Sequence, residues 1–472
     1  KGKGLGDVKV KKEEYEKMKA EDHVLFAPDT YCGGCDLINE KLYILNNDKK
    51  AELKSIDHIP AIGNLINEVL VNARDHIIRL QMNNEKHLTS KIEINYNSEN
   101  GEWSILNDGE GISIQKHSKE KIYNPELIFC HLLTSGNYDK SKKKIIGGKN
   151  GFGAKLVNIF SNKFTVETVD SSKKLKYIQT CEKNMKIINP PTITKCNSKP
   201  YTKFTWNMDY KRFNIEKLSD DMVSLMIRRF YDIAGITDKK INVYYNKEKI
   251  NIKSFQEYVE LYPTVSKKIY EKSCDRWEFS VCSSDTDKFE QVSFVNGICT
   301  SKGGVHVDTL VKLLITGIVQ YMKKKHKKDI LEKYVKNHLS IYLNCVIEDP
   351  SFSSQIKDTL ITPKSKFGSK PEISDKFIKE LCDSGLSVKI LQFSDFKDKT
   401  LEKKTNGIKK SKINIPKLDD ANWAGGRKSD QCTLILTEGD SAKSMAIAGL
   451  SVVGRDKYGV FPLKGKILNV RD

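Results

Sequence analysis

The sequence predicts an α+β fold, and three features carry that prediction. Residues 58–81 repeat apolar side chains at helical spacing. Residues 91–96 and 102–106 alternate apolar and polar side chains on either side of a turn, as a half-buried hairpin does. Short alternating segments recur at 163–169, 177–181 and 201–206, and a second series of strands and helices begins near 241. At about 100–200 residues per domain, a chain of 472 residues should form two to four domains, each large enough to bury a core.

Residues 1–22 interleave Lys and Glu and read as an arm that orders against something else or not at all. Turn markers follow at Pro28-Asp29-Thr30 and Gly33-Gly34, then an apolar segment at 42–45. In the 58–81 helix, Pro60 occupies the first turn, where its missing N–H costs nothing. Ile62, Leu65, Ile66, Val69, Leu70 and Ala73 make the apolar stripe, and Asn64, Glu68, Asn72, Asp75 and Arg79 run along another side. Glu68 and Asn72 are four residues apart and so share a face, which taken alone is ordinarily just solvated.

The next stretch gives that face a second meaning. Ile105 to Ile112 reads as a strand end and a turn in which Gly109 and Gly111 flank an acidic position, with Asp108 at its head. A buried carboxylate there can accept hydrogen bonds from an exocyclic amine such as that of adenine, and glycines admit a ligand that a Cβ would block. Many ordinary turns share the pattern. Pro125 then opens an apolar helical run to Leu133, followed by the polar break Thr134-Ser135-Gly136-Asn137. After Lys142-Lys143-Lys144 comes Gly147-Gly148-Lys149-Asn150-Gly151-Phe152-Gly153-Ala154-Lys155, leading into an apolar helix at 156–160. A glycine-rich loop before a helix offers bare backbone N–H groups at a positive terminus, which is a phosphate cradle. A flexible loop with a helix start is the plainer reading, and the spacing is not that of a Walker A loop.

Beyond the strands at 163–206 a helix is expected at 222–233, carrying Arg228 and Arg229. Strands follow at 241–252 and 289–300, then a helix at 307–325 that ends in Lys323-Lys324-Lys325-His326-Lys327-Lys328. Such a basic knot suits either a phosphodiester backbone or a solvated helix end. Residues 339–348 read as a buried strand, and Ser351 to Thr362 sets Gln355 and Lys357 among small polar residues. Residues 374–396 alternate helix and loop, and Lys-rich 397–412 reads as a linker. Finally a β-rich run at 432–437 ends at Glu438 before a helix at 442–449, the place where metal or phosphate chemistry sits in α/β folds.

The formal net charge of +19 points to a polyanionic partner, nucleic acid above all, though solvated lysine-rich faces account for such a balance too. Eleven scattered cysteines fit reduced thiols in an intracellular protein. Cys32-Gly33-Gly34-Cys35 lacks a second pair or His cluster, and reads as a turn between two incidental cysteines. No apolar run reaches the roughly 18 residues of a membrane helix, and no signal peptide is expected. A chain beginning at Lys1 is expected to be a piece of something longer.

These motifs, in this order, resemble the amino-terminal part of the eukaryotic-type DNA topoisomerase II family. The likeness is strongest at 59–76, 103–112, 125–169, 290–309 and 415–472, and the strings Gly439-Asp440-Ser441-Ala442-Lys443 and 453–463 resemble the start of a Toprim domain. The resemblance implies an arm at 1–22, a GHKL (Bergerat-type) ATPase sandwich at 23–238, a transducer domain of mixed sheet and helices at 239–412, and a linker with the start of an α/β Toprim domain at 413–472. It implies ATP and Mg²⁺ as cofactors, with Glu68 as general base and Asn72 as Mg²⁺ ligand. Asp108, Gly109 and Gly111 would bind the adenine side, and Ser135, Gly136 and Asn137 would touch ribose and phosphate. Gly148, Lys149, Asn150, Gly151, Phe152, Gly153, Ala154 and Lys155 would form a lid on the triphosphate. Gln355 and Lys357 match the catalytic loop that a transducer extends toward the γ-phosphate. Lys323, Lys324 and Lys325 match a DNA-facing loop, and Glu438 matches the first acidic metal ligand of the cleavage site.

Three positions depart from the family: His76 stands where Asn is frequent, Gly136 where Ser is common, and Ile356 where Thr is usual. The DNA-cleaving tyrosine and the remaining Toprim acids would lie outside this chain. The function so implied is an ATP-driven, homodimeric gate that captures double-stranded DNA. No membrane is involved, and the gate would work in the nucleus, or in the cytoplasm if the source is viral. The alternatives are another GHKL ATPase, MutL-like or Hsp90-like, and a non-enzymatic basic DNA-binding module.

Overall fold

The computed structural model describes residues 18–132, 134, 145–147, 151–406, 415, 417–463 and 465. The chain divides into two compact units, Lys1–Ser387 and Val388–Asp472.

In the first unit, strands 91–97, 102–108, 161–170, 175–182 and 201–208 alternate buried and half-buried residues over most of their length. They join a nine-stranded sheet ordered 248–249, 242–245, 91–97, 102–108, 201–208, 161–170, 175–182, 187–188, with 192–195 also on 175–182. Every pairing is antiparallel except that of 242–245 with 91–97. One face stacks Tyr96, Trp103 and Trp206, and the Trp103 indole N–H donates to the Tyr210 hydroxyl at 3.2 Å, so this deeply buried ring keeps a polar partner. The Pro60–Met82 helix, with Pro60 in its first turn, buries Ile62, Leu65, Ile66, Val69, Leu70 and Ala73 in the same core. The Asp220–Ile236 helix, capped by the Ser219 hydroxyl accepting from the Met222 N–H, adds Met226, Phe230 and Ile233.

A second sheet runs 269–274, 277–283, 339–345, 290–295, 298–299. Strands 290–295 and 339–345 are parallel, which requires a crossover, and the Val305–His326 helix supplies it. By length and composition that helix could cross a membrane, yet it buries Leu310, Leu314, Ile318 and Met322 inside the protein. A hairpin, 38–45 with 51–58, completes this unit; the polar strand Ala51–His58 has no counterpart in the sequence reading.

In the second unit, parallel strands 433–438 and 458–463 are joined by the Gly439–Val453 helix as a βαβ element. The linker expected at 397–412 is corrected in part, because the helix that begins at Ser387 continues to Asn406. Its Lys, Glu and Leu residues are good helix formers, and a polar helix looks like a linker by composition alone.

Candidate active site

Helical spacing on Pro60–Met82 places Glu68, Asn72 and His76 one turn apart. Lys357 reaches Glu68 from the loop that follows strand 339–345 of the second sheet. Its loop closes on itself, with the Ile361 N–H donating to Ser351 O at 2.9 Å and the Ser353 N–H to Thr359 O at 3.0 Å. At the tip Lys357 takes φ +65°, a left-handed conformation costing a non-glycine residue roughly 1–2 kcal/mol. Asp358 anchors the tip by pairing with Lys302 at 2.7 Å. Ile356 lies over Gly33, its Cδ1 3.2 Å from where a Cβ on that glycine would stand. The Lys357 ammonium then donates to Glu68 Oε1 at 2.7 Å, the two side chains only 10% and 14% exposed. Gln355 is half-buried in the same tip.

Asn72 faces the start of the Gly153–Ile159 helix, where a Cβ on Gly153 would stand 2.6 Å from its Nδ2. Phe152 packs edge-on against Tyr31 at 5.6 Å, and Ala154 is buried. At the other end of the glycine-rich segment, the Gly147 N–H donates to the buried Asp75 carboxylate at 2.9 Å. Ser135, Gly136, Asn137, Gly148, Lys149 and Asn150 lie outside the described residues.

Lys155 bonds to both ends of this segment. Its Nζ donates to Thr134 O and Thr134 Oγ1 at 2.6 Å and to Gly151 O at 2.7 Å, tying together the two sides of the 135–150 segment. All three acceptors are neutral, and burial lowers this ammonium to about 8.

The turn at 108–112 also differs from its sequence reading. The Asp108 carboxylate accepts from the backbone N–H groups of Ser90 and Lys91, each at 2.7 Å, and from the Ser90 hydroxyl. It is thus committed to the start of strand 91–97 rather than to an open pocket. Strand parity puts the neighbouring Asn107 on the other face, with buried Trp103 and Ile105, where Trp103 packs edge-on against Phe230 of the helical layer at 6.1 Å. The alternation of 103, 105 and 107 thus sets a buried amide, Asn107, on the face opposite the Asp108 carboxylate. The two glycines make room for protein. A Cβ on Gly109, at φ +100°, would meet Thr89 Oγ1 at 2.7 Å and Leu80 Cδ1 at 2.8 Å, and one on Gly111 would strike Val169 O at 2.0 Å. His76 Nε2 lies 2.8 Å from Glu110 O, so that nitrogen carries the proton and donates to the turn, while burial and Arg79 lower the ring to about 4.

The three lysines at 323–325 are exposed at the end of the Val305–His326 helix. Lys323 pairs with Asp329 at 2.9 Å, and Lys325 pairs with Asp383 at 2.6 Å. In the second unit Glu438 ends strand 433–438. Nearby Asp440 pairs with Lys417 and Asp419 with Lys443, both at 2.7 Å. Among the described residues no three His, Cys, Asp or Glu side chains gather as a metal site.

The family model described as DNA gyrase B matches residues 239–408. A Dictyostelium discoideum protein named "Probable DNA topoisomerase 2" is 47% identical over 483 residues, covering 100% of this chain and 31% of that protein. Human DNA topoisomerase 2-alpha is 44% identical over 471 residues, covering 97% and 30%. The chain thus spans under a third of the length of these relatives. The crystal structure of the ATPase region of Saccharomyces cerevisiae topoisomerase II superposes with TM-score 0.76 at 38% identity, over 81% of this chain and 99% of that one.

Proposed function

The chain belongs to the DNA topoisomerase II family, and from that premise we propose that it is the ATP-binding and ATP-hydrolysing gate of a type IIA topoisomerase. The observation that carries the reading is the Glu68–Lys357 contact at 2.7 Å, which joins a carboxylate on the helix packed against the first sheet to an ammonium on a loop beyond the second, in a largely buried place. A carboxylate there can take the proton of an attacking water, typically worth about 10²–10⁴-fold. The ammonium, passing from Glu68 to the γ-phosphate, can follow the charge that develops on the transferred group. Gln355, two residues before it in the loop, would share that contact. The glycine-rich segment that Lys155 and Asp75 hold at its two ends would close over the triphosphate, and Asn107, on the helix-covered face of the sheet, would meet the adenine side.

Magnesium ordinarily uses one or two protein oxygens and takes the rest from phosphates and water. The Asn72 amide, one turn from Glu68 and against Gly153, fits that demand and would hold the metal where it neutralises phosphate charge. Glu438 would contribute one ligand to a separate cleavage centre. The proposed working unit is a homodimer that closes on ATP binding and traps a DNA duplex, with Lys323, Lys324 and Lys325 facing the phosphodiester backbone. The domain divisions at 22, 238 and 412 belong to this same reading. Acting on DNA, the enzyme would work in the nucleus, or in the cytoplasm if the source is viral.

The test uses the full-length protein and supercoiled plasmid, with single topoisomers resolved. ATP-dependent relaxation in linking-number steps of two is expected, and Glu68→Gln should bind ATP yet fail to turn over. Hydrolysis with no change of linking number would move the chain to another GHKL function. Unchanged hydrolysis in Glu68→Gln would remove Glu68 as the base.

A further inference from the structure

A buried polar cluster bonded to Asn67, the neighbour of Glu68, is left unused by the proposed chemistry. Arg228, Arg229 and Asp232 stand on the 220–236 helix, and Asp232 is completely buried. Its Oδ2 accepts from Arg228 Nη2 at 3.2 Å and from Arg229 Nη1, while its Oδ1 accepts from the Tyr258 hydroxyl at 2.6 Å. Burying two guanidinium groups around one carboxylate is costly, and fold stability is a poor reason to keep such a group, since apolar residues often serve as well.

The outward bonds of the cluster suggest another reason. Arg229 Nε donates to Asn67 Oδ1 at 2.8 Å, one residue before Glu68. Arg228 Nη2 meets Cys299 Sγ at 3.9 Å, on the edge strand of the second sheet. The turn that follows this strand holds the Lys357 loop. The Lys302 N–H donates to Asp358 O at 3.0 Å, the Leu360 N–H donates to Gly303 O at 3.1 Å, and Lys302 pairs with Asp358 at 2.7 Å. A closed circuit results. It runs from Asn67 through Arg229, Asp232 and Arg228 to Cys299, then through the 300–303 turn and Asp358 to Lys357, and returns to the helix at Glu68.

We propose that this cluster is a brace that sets the distance between Glu68 and Lys357, with Arg229 a positioning residue acting through Asn67. The inference rests on the ATPase reading and adds to it the residues that align its two halves. A helix with side chains is about 10–12 Å across, so a rotation of about 10° carries the Glu68 carboxylate roughly 1 Å. A misplacement of that size costs catalysis up to about 10²-fold. The bond at Asn67 restrains that rotation, and the contact at Cys299 keeps the second sheet in step with it.

The experiment measures steady-state ATP hydrolysis by the wild-type chain, Asn67→Ala and Asn67→Asp, with calorimetric binding of a non-hydrolysable ATP analogue to the same preparations. Asn67→Ala removes the acceptor of Arg229, and Asn67→Asp keeps an oxygen in the same place. The brace predicts that Asn67→Ala loses about 10- to 100-fold in kcat while KM and analogue affinity stay within about twofold, and that Asn67→Asp recovers most of the loss. Wild-type kcat in Asn67→Ala overturns the brace. Equal impairment of both variants, or loss of analogue binding in Asn67→Ala, also overturns it, by reducing Asn67 to a structural residue. A wild-type chain that neither binds nor hydrolyses ATP sinks the ATPase reading itself, and the brace with it.

Discussion

Replacing Glu68 by Gln preserves shape and removes one charge from the Lys357 contact, and its effect on nucleotide affinity can be worked from the structure. The ammonium and carboxylate stand 2.7 Å apart with side chains 10% and 14% exposed. At an effective dielectric constant of about 20, their attraction is on the order of 6 kcal/mol. Desolvation of both groups cancels most of it, and the Gln amide oxygen still accepts the hydrogen bond, so the lost preference is about 1–2 kcal/mol. On the proposed reading, Glu68 holds Lys357 until the γ-phosphate arrives and so competes with it. Weakening the competitor should therefore tighten binding of a non-hydrolysable ATP analogue by about 5- to 30-fold. ADP has no γ-phosphate and should gain almost nothing. Calorimetric titration of both nucleotides against both chains decides the matter. Equal gains for analogue and ADP would refute the competition. Weaker analogue binding would mean that Glu68 presents Lys357 to the nucleotide instead of withholding it.

Three further outcomes are expected. Lys155, lowered by burial to about 8, is charged below that pH and neutral above it, so ATP-analogue affinity should fall as pH rises from about 7 to 9, and Lys155→Arg should flatten the profile. His76, lowered to about 4 by burial and Arg79, binds its proton less readily folded than unfolded. Its share of stability, roughly 3 kcal/mol, is present above pH 6.5 and lost as pH falls toward 4, so denaturation midpoints should drop over that window by less in His76→Asn. Replacing Lys323, Lys324 and Lys325 together by Ala should weaken duplex binding and reduce the slope of log K against log salt by up to about 3, whatever the DNA sequence. An unchanged slope would remove the three lysines from the DNA-facing surface and leave Lys323 and Lys325 to their pairs with Asp329 and Asp383.

Most of the fold was legible because its elements announce themselves locally. The 58–81 periodicity became Pro60–Met82, and the alternation at 163–169, 177–181 and 201–206 became strands 161–170, 175–182 and 201–208. Each of these elements buries one face, so its period appears in the residues themselves. The misses are elements whose sequence does not record their burial. Strand Ala51–His58 exposes four consecutive positions and is held by pairing with 38–45. Helix 387–406 is polar enough beyond 396 to pass for a linker. Pairing partners and intrinsic helix propensity decided these, and an apolar pattern carries neither.

The site was legible in its parts and obscure in its joining. Glu68 and Asn72 declare a shared helix face, but Lys357 lies 289 residues from Glu68, and its approach depends on a left-handed φ at a lysine that no propensity favours. Asp108 shows how a motif and plain geometry can point to different residues. Acidic character next to glycine suggested a ligand contact, yet the strand that carries Asp108 alternates strictly, with Trp103, Ile105 and Asn107 buried on one face and Asp108 leaving on the other. Chemistry made Asp108 the attractive choice, while parity, a property of backbone alone, favours Asn107. Where the two disagree on a regular strand, parity should prevail, because reversing it requires a bulge, and the register of strand 102–108 runs unbroken against both of its neighbours.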